Sequence, residues 1–571
     1  MSRRARVVVA LWPWLLSAVI CAPLLAPGYV LSYDMVWVPN LTAQADTWGW
    51  GTALPRVVPS DLLVAVFDEI VPGQILQKLV LVGALGLAGA GAARLCRDRG
   101  PVAALAAASL YVWNPFVAER LLLGHWPLLV GYAALPWILV AGRRLRVDEW
   151  SAWSALALGL AVSAVSAVGG VLGVLVALAS QAGGDAASRR RRLGLTAAVG
   201  VAVNAPWFVA GLVYPGGATT DPAAVERFGA SSEGWLGHVG AVLSLGGIWN
   251  SEVMPDSRDT PIALLGLVTV GVVVVAGWRL WLAADRTEAL AFLGLAGLGV
   301  VVALAGWAVP DAVGWLVAHA PGLGLIRDGT RFLPLLALPA AIAFGWAAGA
   351  AADRLRSPLT SFAAVLAVIW PLALLPDLAW GGAGDLEPVA YPDSWYDTRD
   401  VISGLNYDGA LLVLPFTAYR APTWNDGRPV LDPAGRFFGV STLVNDDLFV
   451  SGQLIEGENP QAASVQTALT DSGGADLAGE LGRLGIGAVV VSIDAGPVGA
   501  DLSGLDQVSA TADLDLYTVP GPIADPPQPS TSRVVAIALA WIVAGATTVV
   551  AIGDLARRRL RRGTRTGAPI P

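Results

Sequence analysis

Residues 1–26 read MSRRARVVVALWPWLLSAVICAPLLA, a basic hexapeptide followed by twenty residues without a charged side chain. A run of about 20 apolar residues is long enough to cross the hydrocarbon core of a bilayer. A secretory signal peptide would look similar, but no clean small-residue cleavage site follows, because Pro27 and Gly28 lead into a further apolar stretch. We therefore interpret residues 7–27 as an uncleaved first span with its N-terminus in the cytoplasm.

Apolar segments of this kind recur along the whole chain of 571 residues. Hydrophobic residues make up 55% of the sequence, charged residues only 14%, and the mean hydropathy is +0.61. A soluble protein of this length would need far more charge on its surface, so the composition indicates a polytopic α-helical membrane protein. A window of about 20 residues predicts about twelve transmembrane helices: 7–27, 74–95, 101–117, 127–142, 151–166, 168–183, 193–213, 261–281, 288–309, 331–352, 358–378 and 533–554.

The arginines test this order of spans, because the cytoplasmic loops of membrane proteins carry an excess of basic residues. Every cluster is cytoplasmic if the N-terminus is inside and if 151–183 forms two short helices divided at Gly169-Gly170. The prediction is a multi-pass protein of a bacterial plasma membrane with both termini in the cytoplasm. The clusters follow every second span: Arg94, Arg97 and Arg99; Arg143, Arg144 and Arg146; Arg189 to Arg192; Arg279 and Arg286; Arg354 and Arg356; and Arg557 to Arg562.

The composition excludes several other classes of protein. The net charge of −8 comes from acidic residues in long polar stretches, whereas the arginines lie beside apolar segments, a distribution that does not indicate a nucleic-acid partner. Cys21 and Cys96 are the only cysteines and both lie in apolar segments, which excludes a disulfide framework and a cysteine-based metal site. No P-loop, HExxH or nucleophile-elbow motif occurs. Lys78 is the single lysine, a usage that suggests a GC-rich bacterial genome.

Three long polar segments, 28–73, 214–260 and 379–530, are predicted to face outward. The first contains PSDLLVAVFDEIVPG, whose apolar residues recur at helical spacing and predict an amphipathic helix on the outer surface. The third alternates buried strands with a helix, at residues 410–414, 476–484, 488–492 and 513–519, and predicts a small α/β domain. The predicted units are a membrane region (1–378), an extracytoplasmic α/β domain (379–530), and a last transmembrane helix with a basic cytoplasmic tail (531–571).

Asp34 is the first candidate site residue, just outside the first span in Ser32-Tyr33-Asp34-Met35. An unpaired carboxylate so close to the bilayer is costly unless it meets water, a cation or a partner. It could be a loop residue that caps a turn. Alternatively, it could act at the membrane surface as a general base or as a metal-binding carboxylate.

The segment YVWNPFVAERLLLGHWP (111–127) packs Asn114, Glu119, Arg120 and His125 into a short turn between two apolar spans. If 116–123 is a short helix, Glu119 and Arg120 face different sides and do not form a simple pair. A lone arginine here would extend toward lipid headgroups, but four polar groups in one turn favour a site.

The segment GLIRDGTRF (324–332) carries Arg327 and Arg331 four residues apart, a spacing that points both guanidinium groups toward an anion at the headgroup level. An internal pair between Arg327 and Asp328 is the alternative. In the loop 214–260, Trp235 and Trp249 lie near carboxylates and amides, as a sugar-binding surface requires, although a membrane-interface loop shows the same residues.

On these residues the chain resembles the GT-C superfamily of membrane glycosyltransferases, and within it the arabinofuranosyltransferase-like proteins of the actinobacterial cell envelope. The resemblance rests on the acidic residue and amphipathic helix of the first loop, on NPFVAERLLLGHW running into GYAALPW (131–137), on IRDGTRF, and on the outer domain behind the helices. It covers most of the membrane region. One departure is that Asp34 has no adjacent carboxylate, whereas many members carry a paired acidic motif in this loop.

The resemblance implies inverting transfer of a sugar from a polyprenyl-phosphate donor to a cell-envelope glycan or glycolipid on the outer face of the membrane. Asp34 would be the catalytic base, with Glu119 in reserve, and a divalent cation is an open question. Arg327 and Arg331, with Arg120 or His125, would hold the lipid phosphate, and the tryptophans would bind the acceptor. The alternatives are a transporter or flippase of a lipid-linked glycan, and a non-catalytic envelope scaffold.

Overall fold

The computed structural model describes residues 1–51, 53–147, 149–183, 185–215, 217, 220–354, 359–450, 453–471, 474–525 and 528–565, so the predicted cytoplasmic Arg356 lies outside the described residues. Helices dominate the first two thirds of the chain. In order they are α1 (Arg3–Cys21), α2 (Ala45–Trp48), α3 (Ser60–Asp68), α4 (Gly73–Cys96), α5 (Pro101–Val112), α6 (Pro115–Leu122), α7 (Trp126–Arg146), α8 (Trp153–Ser163), α9 (Ala167–Ala179), α10 (Ala186–Leu212), α11 (Ala223–Arg227), α12 (Gly237–Leu243), α13 (Pro261–Ala284), α14 (Arg286–Ala308), α15 (Pro310–His319), α16 (Pro334–Arg354), α17 (Leu359–Leu374) and α18 (Ala379–Ala383).

Sheet strands and further helices follow in the last third. The helices are α19 (Asp393–Gly404), α20 (Ala434–Phe437), α21 (Pro460–Asp471), α22 (Gly474–Arg483) and α23 (Thr531–Arg565). The strands are β1 (Tyr29–Val30), which belongs to the first loop, β2 (Pro388–Val389), β3 (Ala410–Leu414), β4 (Tyr419–Arg420), β5 (Val430–Leu431), β6 (Thr442–Leu443), β7 (Leu448–Val450), β8 (Gln453–Ile455), β9 (Ile486–Ser492), β10 (Asp506–Ala510) and β11 (Leu514–Thr518).

The prediction of a multi-pass membrane protein is confirmed. Within the described residues, nine helical segments are long and apolar enough to cross a membrane. A tenth span results if 362–374 and 376–383, which meet at 74°, count as one bent span. Small residues let the helices approach closely, as is common in membrane bundles. At Gly91 in α4, for example, a β-carbon would lie only 2.7 Å from Pro136 of α7.

The predicted number of about twelve full spans needs a correction at 151–183. This stretch does form two helices, but α8 and α9 have only 11 and 13 residues, too few to cross about 30 Å of hydrocarbon. The break lies at 164–166 and not at Gly169-Gly170, because Ser166 caps α9 by accepting a hydrogen bond from the backbone N–H of Gly169 (3.0 Å). Serine satisfies the free N–H groups of a helix start, whereas the two glycines continue the helix.

The two short helices form a hairpin along α7. Ile138 of α7 packs against Gly159 of α8, and the backbone at Gly131 lies against Gly169 of α9. Further along α9, Ser180 contacts the α7 residue Gly142, so α9 runs parallel to α7. The hairpin thus returns the chain to the side from which it came, and the alternation of arginine clusters on which the topology prediction rests is preserved.

The helix predicted in the first loop is present as α3. Leu62 and Ala65 are buried against the protein, whereas Val66 and Phe67 are about half exposed. The helix is therefore apolar on two sides. The helical spacing predicted Val66 on the same face as Leu62, but Val66 lies on the side away from the protein core. An exposed apolar pair suits a helix that lies between the protein and a bilayer surface.

The C-terminal domain (the segment 379–530 of the sequence analysis) contains the predicted small α/β fold. Its five-stranded sheet has the order β10-β11-β9-β3-β6, with β3 parallel to β9 and β6, and β11 antiparallel to β9 and β10. The predicted strands and helix correspond to β3, β9, β11 and α22. The boundaries of the three units stay a prediction.

The first loop and the C-terminal domain are joined by backbone hydrogen bonds. β1 pairs with β2, and Tyr33 both donates to the carbonyl of Pro429 (2.7 Å) and accepts from the N–H of Leu431 (2.8 Å). This pairing attaches the segment around Asp34 to the hairpin of β4 and β5, and so fixes the surroundings of the candidate base.

Candidate functional site

The chain positions Asp34 in a tight turn against the start of α7. The turn closes by a hydrogen bond from the N–H of Met35 to the carbonyl of Ser32 (2.8 Å), and the N–H of Asp34 donates to the carbonyl of Leu123 (3.1 Å). Gly124 permits this contact, because its φ is +80° and a β-carbon there would lie 2.2 Å from the backbone nitrogen of Met35. The Asp34 side chain consequently points toward His125.

Both oxygens of the Asp34 carboxylate have partners. Oδ2 lies 2.8 Å from Nε2 of His125, and Oδ1 accepts a hydrogen bond from the phenol of Tyr419 in the C-terminal domain. Burial would raise the pKa of the Asp34 carboxyl, but the hydrogen bonds from His125 and Tyr419 and the positive charge of Arg331 hold it well below its usual range. The carboxylate is ionised at neutral pH.

His125 is neutral and its tautomer follows from its neighbours. Burial and the charge of Arg331 lower the pKa of His125 to about 4, despite the opposing effect of Asp34. Nδ1 lies 3.2 Å from Nη1 of Arg120, which can only donate, so Nδ1 is the acceptor. The remaining nitrogen, Nε2, therefore carries the proton and donates to Asp34.

Behind His125 lies a buried ion cluster centred on Asp328. Its oxygens accept from Nη1 (2.8 Å) and Nη2 (3.1 Å) of Arg120, from Nε of Arg331 (3.0 Å) and from the hydroxyl of Thr330 (2.7 Å). Burial would raise the pKa of Asp328, but Arg120 and Arg331 lower it strongly. Asp328 thus pairs with these two arginines and not with Arg327, which was the alternative in the sequence analysis.

Arg120 is placed behind the cavity wall and not in the cavity. Its side chain is fully buried, and its guanidinium is engaged by Asp328, Thr330 and His125. Asn114 has a structural role at the start of α6: its side-chain oxygen accepts from the N–H of Val117 (3.1 Å), and its amide donates to carbonyls at the end of α5.

Arg327 lies in the cavity with few partners. Its guanidinium stacks over the ring of Phe228 at 4.8 Å, and Nη1 lies 3.8 Å from Oε1 of Glu458. Among the described residues it makes no side-chain hydrogen bond. Burial and the charge of Arg56 lower the pKa of Arg327 to about 10, so it remains a cation at neutral pH.

A single cavity brings the main candidates together. It has a volume of about 1380 Å³ and lies between the membrane helices and the C-terminal domain. Asp34, His125, Arg327 and Arg331 all line it. Its apolar side includes Val165, Val168, Trp207, Phe208 and Leu212. Phe208 and Leu212 are also exposed on the outer surface of α10, at 53% and 66%, so the apolar side continues to the surface of the helix bundle.

The two predicted acceptor-binding tryptophans lie in different surroundings. Trp249 lines the cavity, packs edge-on against Phe228 (4.7 Å), and has an indole N–H that is buried without a partner among the described residues. Trp235 is 68% exposed and does not line the cavity.

Glu119 also lies outside the cavity. Its carboxyl and that of Glu233 approach the same point beside Gly246, where Oε1 of Glu119 and both oxygens of Glu233 would lie within 2.8 Å of a β-carbon. Arg258 pairs with Glu233 (2.5 Å), while Oε1 of Glu119 has no hydrogen-bond partner among the described residues. As predicted, Glu119 and Arg120 face different sides of their helix.

Three residues of the site had not been singled out from the sequence: Tyr419, Glu458 and Arg56. Tyr419 is 385 residues away from Asp34 in the chain, and no local motif marks it. In the described part of the chain, no group of three or more His, Cys, Asp or Glu side chains could hold a metal ion.

The comparisons with known proteins bear on the fold. No protein-family model and no curated protein matches the chain, but solved structures do. The cryo-EM structure of the arabinofuranosyltransferase AftD from mycobacteria has a TM-score of 0.55 at 16% identity, and a substituted form of the same enzyme has 0.59 at 18%. The matches cover 92% of this chain but only 40% and 42% of those chains. The chain therefore shares the fold of these AftD structures and spans less than half of their length.

Proposed function

We propose that this protein is a membrane glycosyltransferase that moves a sugar from a polyprenyl-phosphate donor to a glycan or glycolipid of the cell envelope. The observation that carries the proposal is the convergence of Asp34 and the guanidinium groups of Arg327 and Arg331 in one cavity, although they come from opposite ends of the membrane part. The likeness in fold to AftD supports the reaction class and suggests an arabinofuranosyl group as the sugar.

The proposed chemistry needs a base and a cation on opposite sides of the sugar. The acceptor hydroxyl attacks the anomeric carbon, its proton passes to Asp34, and the bond from the anomeric carbon to the phosphate oxygen breaks with inversion. A carboxylate with a low pKa orients the hydroxyl and takes the proton only as the new bond forms. Arg327 and Arg331 stabilise the negative charge that develops on the leaving polyprenyl phosphate.

His125 and the cluster behind it position the base. Nε2–H of His125 holds Asp34, Arg120 fixes the tautomer of His125, and Asp328 in turn holds Arg120 and Arg331. In this way the base and one phosphate-binding arginine are tied to the same buried carboxylate, and their separation is set before the substrates bind.

The apolar side of the cavity suits the lipid part of the donor. Residues of the α8–α9 turn and of α10 line it, and it continues to the surface of the bundle at Phe208 and Leu212. A polyprenyl chain that enters here from the bilayer would present its phosphate to Arg327 and Arg331. This arrangement requires the cavity to lie at the outer face, which follows from the predicted topology with cytoplasmic termini.

The transporter alternative has less support. A transporter would carry polar residues in the middle of its spans, and Asn204, close to Pro206 in the apolar part of α10, is such a residue. The amide of Asn204 donates to the carbonyl of Gly200 (2.8 Å), and its oxygen accepts from the indole of Trp207 (2.8 Å), so its hydrogen bonds are satisfied within its own helix.

A transfer assay tests the proposal directly. Purified protein in nanodiscs is incubated with labelled polyprenyl-phosphoryl arabinofuranose and a short arabinofuranoside oligosaccharide. We expect a labelled, elongated oligosaccharide with inverted anomeric configuration, and release of polyprenyl phosphate in equal amount. If the folded wild-type protein leaves this donor unconsumed across a panel of envelope glycan acceptors, the proposal is wrong for this donor class.

A further inference from the structure

The C-terminal domain places a carboxylate of its own between the arginines of the cavity. Glu458 follows the hairpin of β7 and β8, and its side chain is only 11% exposed. Oε2 pairs with Arg56, while Oε1 accepts from the hydroxyl of Thr220 (3.3 Å) and faces Nη1 of Arg327 at 3.8 Å. Two guanidinium groups and a hydroxyl are a set of donors that suits a phosphate as well as a carboxylate.

The backbone holds Glu458 firmly in this position. The N–H groups of Glu458 (2.7 Å) and Asn459 (3.1 Å) donate to Oδ2 of Asp446, and the N–H of Gly457 donates to Oδ1 of Asp447 (2.7 Å). These hydrogen bonds fix the backbone from which the Glu458 side chain reaches into the cavity.

The contact with Arg327 is weaker than the contact with Arg56. At 3.8 Å it is an ion pair without a hydrogen bond, and Arg327 keeps its N–H donors free toward the cavity among the described residues. A phosphate could approach Arg327 more closely than Glu458 does, and its negative charge would then repel the Glu458 carboxylate.

The same domain also occupies the base. Tyr419 donates its phenolic hydrogen to Oδ1 of Asp34, as an acceptor hydroxyl would have to do. Burial and the charge of Asp34 raise the pKa of Tyr419, so the phenol keeps its proton. Two side chains of the C-terminal domain thus contact the polar groups of the cavity as the substrates would. The Tyr419 hydroxyl contacts Asp34 in the place of the acceptor hydroxyl, and the Glu458 carboxylate faces Arg327 in the place of the donor phosphate.

From this geometry we propose that Glu458 is a built-in competitor for the phosphate of the donor: its carboxylate occupies the anion position between Arg56 and Arg327, and a polyprenyl phosphate must displace it to bind. The inference rests on the proposed function, because it takes that phosphate as the ligand of Arg327. Displacement would turn the Glu458 side chain away from Arg327 while the backbone hydrogen bonds of Glu458 and Asn459 stay in place.

The test is binding of undecaprenyl phosphate to the purified full-length protein in detergent, measured for the wild type and single variants. Glu458→Gln keeps the size of the side chain and removes its charge, so we expect binding about fivefold tighter, the effect of about 1 kcal/mol from a partly exposed ion pair. Glu456→Gln is the matched control, because Glu456 is exposed, lies two residues away and does not line the cavity. It should bind as the wild type does.

Two further variants separate this inference from the proposed function. Arg327→Gln should lose at least about tenfold in affinity, because a charged donor to the phosphate is removed. If Arg327→Gln weakens binding but Glu458→Gln leaves it unchanged or weaker, the competitor role is wrong and the phosphate site stands. If Arg327→Gln binds undecaprenyl phosphate like the wild type, both the competitor role of Glu458 and the phosphate site at Arg327 are wrong. Should Glu458→Gln not fold, Glu458→Asp decides, since its retracted carboxylate should tighten binding and unchanged binding would overturn the inference.

Discussion

His125 Nε2 and Asp34 Oδ2 lie 2.8 Å apart, although ninety-one residues separate them in the chain. The imidazole faces Asp34 on one side and Arg120 on the other, so it links the candidate base to the buried cluster around Asp328. The first loop, the α6–α7 turn and the segment before α16 therefore form one connected set of hydrogen bonds.

The first prediction concerns Asp34. Asp34→Asn keeps the shape of the side chain and the acceptor oxygen facing His125, but it replaces the oxygen facing Tyr419 by an NH2 group and removes the ability to accept a proton. We expect the transfer rate to fall by about 10²- to 10⁴-fold, the usual contribution of a general base, in a protein that still folds but has a lower unfolding midpoint, because the ionised carboxylate stabilises the folded state. Glu69→Gln changes an exposed carboxylate of the same loop and should leave the rate intact. Full activity of Asp34→Asn would remove Asp34 from the mechanism.

The second prediction concerns the ion pair of Arg120 and Asp328, which are 0% and 1% exposed. Asp328→Leu leaves Arg120 buried without its partner and should lower the free energy of unfolding by about 3–5 kcal/mol. The double variant Arg120→Met, Asp328→Leu removes both charges and should be more stable than Asp328→Leu alone. Denaturant unfolding of the purified proteins measures both effects, and additive losses would contradict the pairing.

The third prediction is a dependence of stability on pH that comes from His125. Its pKa in the folded protein is about 4, below the ordinary 6.5, so between these values the unfolded chain binds a proton that the folded chain does not. The stability that this histidine contributes is complete above pH 6.5 and is lost as the pH falls toward 4, at up to about 1.4 kcal/mol per pH unit. The lowered pKa of Asp34 acts in the same direction below pH 3.8.

Unfolding midpoints measured between pH 8 and pH 4 check this prediction. His125→Gln should be less stable than the wild type at pH 7, because the contact with Asp34 changes, but its stability should fall less steeply below pH 6.5. The exposed His319, changed to Gln, provides the control and should leave the slope as it is. Equal slopes for the wild type and His125→Gln would show that His125 is not held neutral.

The fourth prediction compares two tryptophans of one loop. Trp249 lines the cavity and offers an indole N–H without a partner among the described residues, whereas Trp235 is exposed and outside the cavity. Trp249→Leu should raise the KM for the glycan acceptor about fivefold to tenfold through the loss of ring stacking. Trp235→Leu should leave the KM unchanged, and a reversed order would place the acceptor elsewhere.

The sequence was sufficient for the fold class because a membrane imposes simple rules on it. Long apolar segments, together with the placement of arginines on alternate sides, predicted the membrane helices, and alternating strands and helices predicted the C-terminal α/β domain. The predicted apolar segments correspond to α1, α4, α5, α7 to α10, α13, α14, α16, α17 and α23. The short helices α8 and α9 show where hydropathy alone does not predict the helix boundaries. The hydropathy of 151–183 is continuous, and the position of the break depends on one serine that caps a helix.

The site could be predicted only in part, for a related reason. Asp34, His125 and the two cavity arginines stand out as polar residues at the ends of apolar spans, where burial of charge is costly. Arg120 stands out for the same reason, yet it does not line the cavity and instead contacts His125 and Asp328. The sequence does not distinguish an arginine that lines the cavity from one that holds the residues behind it. Tyr419 and Glu458 lie in a polar domain where such residues are common, so only the tertiary structure reveals their part.

The pairing of β1 with β2, and of Tyr33 with the strand β5, has a consequence for biosynthesis. The N-terminal helices are inserted into the bilayer long before the ribosome has made the segment that contacts Asp34. A nascent chain that ends before β2 would hold the membrane helices up to α17 and the residues of the contact between Asp34 and His125, but it would lack α23, Tyr419 and Glu458. The complete cavity can assemble only after the C-terminal domain has been made, so a truncated product should be inserted but would lack these two side chains of the cavity.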